Sequence, residues 1–247
     1  MISLPHSPPT TVDHVLANLR ALRSQLPPHD GVRYFNRLYI GVTREVRAHV
    51  ATGRAADPDF IVGLDVAFAE SYFDAVRRAE AGARAAPPAW RPLFEARADR
   101  TVAPIQLALA GLNAHINFDL PVQIVATARV RGVVPRVDTP QFRDFEAMGN
   151  IFQRVEERAR RWLLTGLLRR LDRLLGRVDD AVAIWSLLRA REAAWSNAMT
   201  LWHLRGDQRR AAEFLETLAH TTGAFGRGLV LPSTIGLERC ADRLRPP

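Results

Sequence analysis

The stretch IQLALAGLNAHINFDLPVQIVATA, residues 105–128, decides how this chain is read. Apolar IQLALAGL and VQIVATA flank a core, Gly111 to Pro121, in which Asn113, His115, Asn117 and Asp119 alternate with apolar residues. The flanks predict a central helix whose polar groups face the interior, where each one left unpaired costs roughly 1–3 kcal/mol. His115 and Asp119, four apart, share one helical face, and Asn113 and Asn117 share a neighbouring one. Pro104 suits a first turn, whereas Pro121 should kink the helix or end it, so Thr101 to about Val130 is one long helix or two.

Outward from this core the periodicity stays helical almost from end to end, broken by Pro, Gly and Asp clusters. Thr11 or Asp13 caps a first helix ending near Leu26. A second carries Phe35, Leu38, Tyr39, Val42 and Val46 and stops at Gly53. Pro58 opens a third, with Phe60, Leu64, Phe68, Tyr72 and Val76 as its stripe, and Trp90 to Arg97 begins a fourth. Beyond the core, Thr139 and Pro140 open a long helix toward Leu175, and Asp179 and Asp180 cap the next, which reaches Leu204. Another runs from Gln208 to about His220. The glycine-rich TTGAFGRGLVLPS reads as irregular, with Ser233 capping a short terminal helix. The expectation is an all-α multi-helix bundle, one domain over 1–247, with 1–10 and 221–247 peripheral or irregular.

Composition narrows the function classes. At 47% hydrophobic over 247 residues the chain can bury a full core without staples, and the single Cys240 excludes both a disulfide framework and a cysteine zinc site. A reducing cytoplasm fits, and neither a signal peptide nor an apolar run long enough to span a bilayer is expected. All 34 basic residues are arginine, which removes lysine Schiff-base chemistry and the phosphate-binding lysine of P-loops. The net charge of +8 does not by itself imply nucleic acid, because arginines alternate with Asp and Glu and no recognition motif accompanies them. RVEERARRWLLTGLLRRLDRLLGRV, residues 154–178, has the pattern of a membrane-surface helix, but Glu156, Glu157 and Asp172 interrupt its basic face and favour a core helix with a solvated side. Peripheral membrane contact is therefore not the favoured partner.

Two readings of the central polar residues stand side by side. In one, Asn113, His115 and Asp119 tie helices together through hydrogen bonds. In the other, His115 is a general acid/base whose imidazole pKa is raised, and its tautomer set, by Asp119 or another carboxylate. Candidate partners lie on other stripes: Asp65 and Tyr72 flank Phe68 by a turn each, Asp144 and Asn150 stand in FRDFEAMGN, and Arg191 and Trp195 are four apart in RAREAAWSNAM. An arginine there can hold a carboxylate and an indole can wall a pocket. A metal site on His115 with Asp119, Asp65 or Asp144 is a weaker variant, since no paired Glu-x-x-His signature is present and His49 and His203 lie without matching carboxylates. No nucleophile elbow, phosphate loop or dinucleotide fingerprint occurs, so no cofactor is expected.

FNRLYIGVT, LDVAFAESYF, AGLNAHINFDLP, FRDFEAMGN and AREAAWSNA together resemble a bacterial, mostly actinobacterial, family of domains of unknown function, over roughly Asp30 to Leu204. The family's N-A-H-I-N-x-D-L-P motif stands intact from Asn113 to Pro121, with Phe118 where a more polar residue is common. The resemblance implies an all-helical fold and a site around His115 and Asp119; it supplies no reaction.

The leading expectation is an enzyme of lyase, isomerase or cyclase type, set in secondary metabolism, acting on a small, largely apolar substrate. His115, Asp119 and Asp65 would be catalytic, and Tyr72, Asn113, Asn117, Asp144, Arg191 and Trp195 would bind the substrate. A noncatalytic binding or scaffold protein, and a metal-dependent hydrolase or oxygenase, are the alternatives.

Overall fold

A computed structural model describes residues 8–149 and 187–231. Each early helix begins where a side chain can accept an amide the first turn leaves unpaired. Thr11 caps α1 (Val12–Gln25) by accepting from His14 N at 3.1 Å. Asp30 caps α2 (Gly31–Ala51) through Val32 N at 2.9 Å while holding Arg97 at 2.6 Å. Asp57 caps α3 (Pro58–Ala79) through Phe60 N at 3.0 Å, with Pro58 in the first turn. After the short α4 (Arg91–Ala96), α5 (Pro104–Ala114) runs into a π-helical turn (His115–Asp119) and on into α6 (Leu120–Arg131), which stops at Gly132 with φ +65°. Thr139 caps α7, residues 140–149, accepting from Phe142 N at 3.2 Å. α8 (Leu187–Leu204) and α9 (Gln208–Leu229) complete the described elements, among which there is no strand.

The α5–π–α6 rod is the axis of the bundle. α2 and α9 pack on its α5 half, α3 and α8 on its α6 half, and α1 lies on the outside against α2. Burial reflects this: α5 is buried from Ile105 through Gly111 and again at Asn113 and Ala114. Gly111 permits the closest approach, since a Cβ there would stand 2.5 Å from the Phe35 ring of α2.

One sequence expectation is met in a particular form, and one needs correction. Pro121 does not end the rod; it lies in the first turn of α6 directly after the π turn that divides α5 from α6, so the two-helix form of the expectation is the one observed. There Leu120 N–H reaches back five residues to His115 O, and this wider turn accommodates a proline that an uninterrupted α-helix would tolerate poorly. The glycine-rich segment after His220 is helical through its ninth residue: α9 continues to Leu229, with Thr222, Gly223, Gly226 and Leu229 buried. The physical reason is tertiary. A Cβ at Gly223 would stand 2.5 Å from Pro88 O, so the glycine admits the chain before α4, and Gln106 Nε2 donates to Leu229 O and Leu231 O at 2.9 and 2.8 Å. The expected extension to Leu175, the basic helix 154–178, the Asp179–Asp180 cap, Asn150 and the Ser233 helix lie outside the described residues.

Candidate active site

The π turn presents His115 and Asp119 to the interior, both nearly inaccessible. His115 Nδ1 lies 2.9 Å from Asp119 Oδ2, and the same oxygen accepts from Trp90 Nε1 at 3.0 Å. The imidazole is boxed by the rings of Phe35, Tyr39, Phe68, Tyr72 and Trp90, with Phe68 stacked flat on it at 3.4 Å between centroids and 4° between planes. Pairing along i, i+4 was foreseeable; the aromatic box was not. Nothing in the local pattern around Trp90 marks it as a donor to Asp119.

The contact has the geometry of an ion pair, but burial opposes charge on either member. It pushes the Asp119 carboxyl well up, against the opposing pull of the Trp90 hydrogen bond, and pushes the imidazole well down. The expectation that an anionic neighbour would raise the His115 pKa is therefore overturned: the neighbour is itself driven toward its neutral form. We read the pair as net neutral, one proton held between Nδ1 and Oδ2.

Asp65 lies on α3 at the next accessible space. It lines a cavity of about 60 Å³ with Val46, Ile61, Leu64, Phe68 and Arg191, closed further by Ile116, Leu120, Phe145 and Met148. That is room for a small molecular group or a few waters. Asp65 is 7% exposed, its Oδ2 has no hydrogen-bond partner among the described residues, and burial pushes its carboxyl up to about 7. Arg191 also lines the cavity: its Nη2 donates to Phe145 O at 2.5 Å, its guanidinium lies 4.1 Å over the Phe145 ring, and burial pulls it down to about 9. Phe68 lines the cavity with its side chain and carries His115 on its face, so it stands between the cavity and the imidazole.

The remaining candidates fall elsewhere. Asn113 Nδ2 donates to Thr222 O at 2.9 Å and its Oδ1 accepts from Asn117 Nδ2 at 3.0 Å, which ties the rod to α9. Tyr72 is wholly buried against Phe35 and Trp90, its hydroxyl 3.4 Å from the Asn36 Nδ2 that donates to it. Asp144 accepts from Ala56 N at 2.8 Å and Asp57 N at 2.7 Å, pinning the α2–α3 connection. Trp195 packs on Phe142 and Phe145. None of these five lines the cavity. Asn36 and Tyr39 went unremarked as site residues, although a polar residue at Asn36, three before Tyr39 on an apolar stripe, was the available signal.

Residues 12–232 match the family of unknown function DUF5995. The chain belongs to this family. No curated protein and no solved structure matches it. For this DUF5995 member the chemistry must therefore be argued from the site itself. Among the described residues no three of His, Cys, Asp and Glu gather as a metal-binding set, and no helix is long and apolar enough to cross a membrane.

Proposed function

We propose that this protein is an enzyme that binds a small, largely apolar molecule in the α3–α8 cavity and moves a proton on it, with Asp65 as the acid/base group. The observation that carries the reading is the unpartnered, buried Asp65 oxygen on the wall of an otherwise apolar cavity. A carboxyl held near neutrality is half-ionised at working pH and can both take and return a proton, which is the requirement for isomerase, lyase or cyclase chemistry without a cofactor. Arg191, which lines the same cavity, carries positive charge toward a carbonyl or enolate oxygen of the substrate. The His115–Asp119–Trp90 group acts behind Phe68, holding the aromatic wall rather than touching substrate. The intact motif from Asn113 to Pro121 supports a role for this wall, and the single cysteine supports a cytoplasmic setting.

The test is proton exchange. The protein is incubated in D2O with a panel of small apolar ketones, enones and alcohols, and deuterium incorporation is followed by mass spectrometry. Catalysed exchange with at least one compound is expected, reduced at least 100-fold in Asp65→Asn. Exchange that persists unchanged in a folded Asp65→Asn protein removes Asp65 from the chemistry. Binding of panel members without any exchange would favour the noncatalytic binding protein instead.

A further inference from the structure

A second space lies between α6, α8 and the first half of α9, about 400 Å³ in volume against about 60 Å³ for the Asp65 cavity. A volume of that size is in the range of small-molecule sites. Val122 and Val125 of α6, Leu201 of α8 and Leu215 of α9 give the groove apolar walls. Ala126, Ala211 and Ala212 keep it open, each contributing only a methyl group where a larger side chain would fill the space. The second half of α9 is held on α5, by Asn113 Nδ2 donating to Thr222 O and Gln106 Nε2 donating to Leu229 O, both at 2.9 Å. Its first half is left to form one wall of the groove.

The polar lining gathers at one end. Arg191 of α8 shares the Asp65 cavity with Ile116 and Leu120, whereas Leu201 and Arg205 share the groove with Val125 and Arg129, so α6 and α8 run in the same direction. Arg129, in the last turn of α6, and Arg205, just past the end of α8, therefore come to the same end, where α9 begins with Gln208. Nearby arginines are neutralised: Arg131 pairs with Asp59 at 3.0 Å, Arg209 with Glu213 at 2.7 Å and Arg210 with Asp207 at 3.3 Å. Arg129 and Arg205 have no carboxylate partner among the described residues. Arg205 is held by its own helix end, its Nη1 donating to Trp202 O at 2.7 Å and its guanidinium 4.5 Å over the Trp202 ring. That leaves the other donors of a planar, pre-organised group for an anion. A cation at a helix C-terminus also answers the macrodipole, and what sets this pair apart is the apolar groove that opens from it.

We propose that the groove binds a free medium-chain carboxylate of the fatty-acid type, its head group at the Arg129 and Arg205 end and its alkyl chain along Val125, Val122 and Leu215. The head group answers two cations that lack a protein anion, and the chain takes apolar walls out of water. Arg129 and Val122 are seven residues apart on one helix, so the slot runs about 10 Å, which suits an alkyl chain rather than a small acid. The Asp65 cavity, at about 60 Å³, has no room for such a chain. The groove is therefore a separate site, and it stands whether or not Asp65 acts on a substrate.

The experiment is titration calorimetry of the full chain with decanoate below its micelle concentration. Decyltrimethylammonium, with the same chain and the opposite charge, and acetate, with the charge and no chain, are the comparisons. Decanoate should bind one to one, and each comparison compound at least about 10-fold more weakly. Arg129→Gln and Arg205→Gln should each weaken decanoate binding about 10-fold, and Ala211→Phe, which fills the groove, should abolish it. Both arginines are exposed, so their variants read the site even where Ala211→Phe fails to fold. No decanoate binding, or equal binding of either comparison compound, overturns the proposal. So does affinity that is unchanged in both arginine variants or in a folded Ala211→Phe protein. Association with phosphatidylglycerol vesicles without binding of monomeric decanoate would give the groove to a membrane surface and overturn it as well. The readout involves no proton exchange, so its failure is separate from failure of the deuterium test.

Discussion

Asp65 and Asp144 are two buried carboxylates, 7% and 5% exposed, on helices that meet the same interior region, and they have opposite surroundings. Asp144 has both oxygens engaged by backbone amides at the start of α3. Asp65 has an oxygen with no partner among the described residues and lines a cavity. A satisfied carboxylate holds a loop in place, and its energy is spent on the fold. An unsatisfied one costs stability and persists where some other requirement maintains it. The contrast separates structural from functional acids more sharply than burial does, because burial is the same for both.

The largest effect that can break this contrast is pH-dependent. The folded Asp65 pKa lies above its ordinary value of 3.8, at about 7, so between these values the native state binds more protons than the unfolded one and stability falls as pH rises. Three units correspond to about 4 kcal/mol lost between pH 4 and pH 8. Urea unfolding of Asp65→Asn should lack this slope and show a protein more stable than wild type at pH 8. Equal slopes in the two proteins would mean that Asp65 is partnered after all. Next in size, Asp144→Ala leaves the Ala56 and Asp57 amides without their acceptor and should cost about 3 kcal/mol at pH 7 in the same assay. A loss below about 0.5 kcal/mol would erase the distinction between the two acids.

A smaller test addresses the buried carboxyl of Asp119. Trp90→Phe keeps an aromatic ring but removes the Nε1–H donor to Asp119, and should lower stability by about 2 kcal/mol in thermal melts. It should also raise the Asp119 pKa further in a ¹³C titration, since the lost hydrogen bond favoured the ionised form. The smallest test carries the same contrast, occupied against open surroundings, into the backbone. Gly223→Ala, where a Cβ would meet Pro88 O at 2.5 Å, should destabilise by about 1–2 kcal/mol. Gly228→Ala, with nothing within 4 Å, should stabilise by about 0.5 kcal/mol through helix propensity, as read by circular dichroism melts.

Much of the fold was legible because its causes are local. Thr11, offered with Asp13 as a cap, Pro58 in a first turn and Thr139 as a cap each act within a turn of themselves, and the structure places all three so, with the unforeseen Asp57 capping ahead of Pro58. The α3 stripe from Phe60 to Val76 needed only the period of a helix. The glycines of α9 misled the reading because the roles of Gly223 and Gly226 depend on Pro88 and Pro92, more than a hundred residues earlier in the chain. Pro121 marked where the rod divides into two helices, but not the π turn that divides it, which no propensity signals.

The candidate site divides along the same line. The sequence by itself determined an all-helical chain and the pairing of His115 with Asp119, since both follow from helical period and i, i+4 spacing. It also named Asp65 and Arg191, on different helices, as members of one polar site, without the contacts that would join them. Only the tertiary structure set those two on one cavity, put Phe68 between that cavity and His115, and spent Asp144 and Asn113 on holding the fold. It also reversed the expected direction for the imidazole, because desolvation is a property of everything packed around a group, and no spacing in the chain records it.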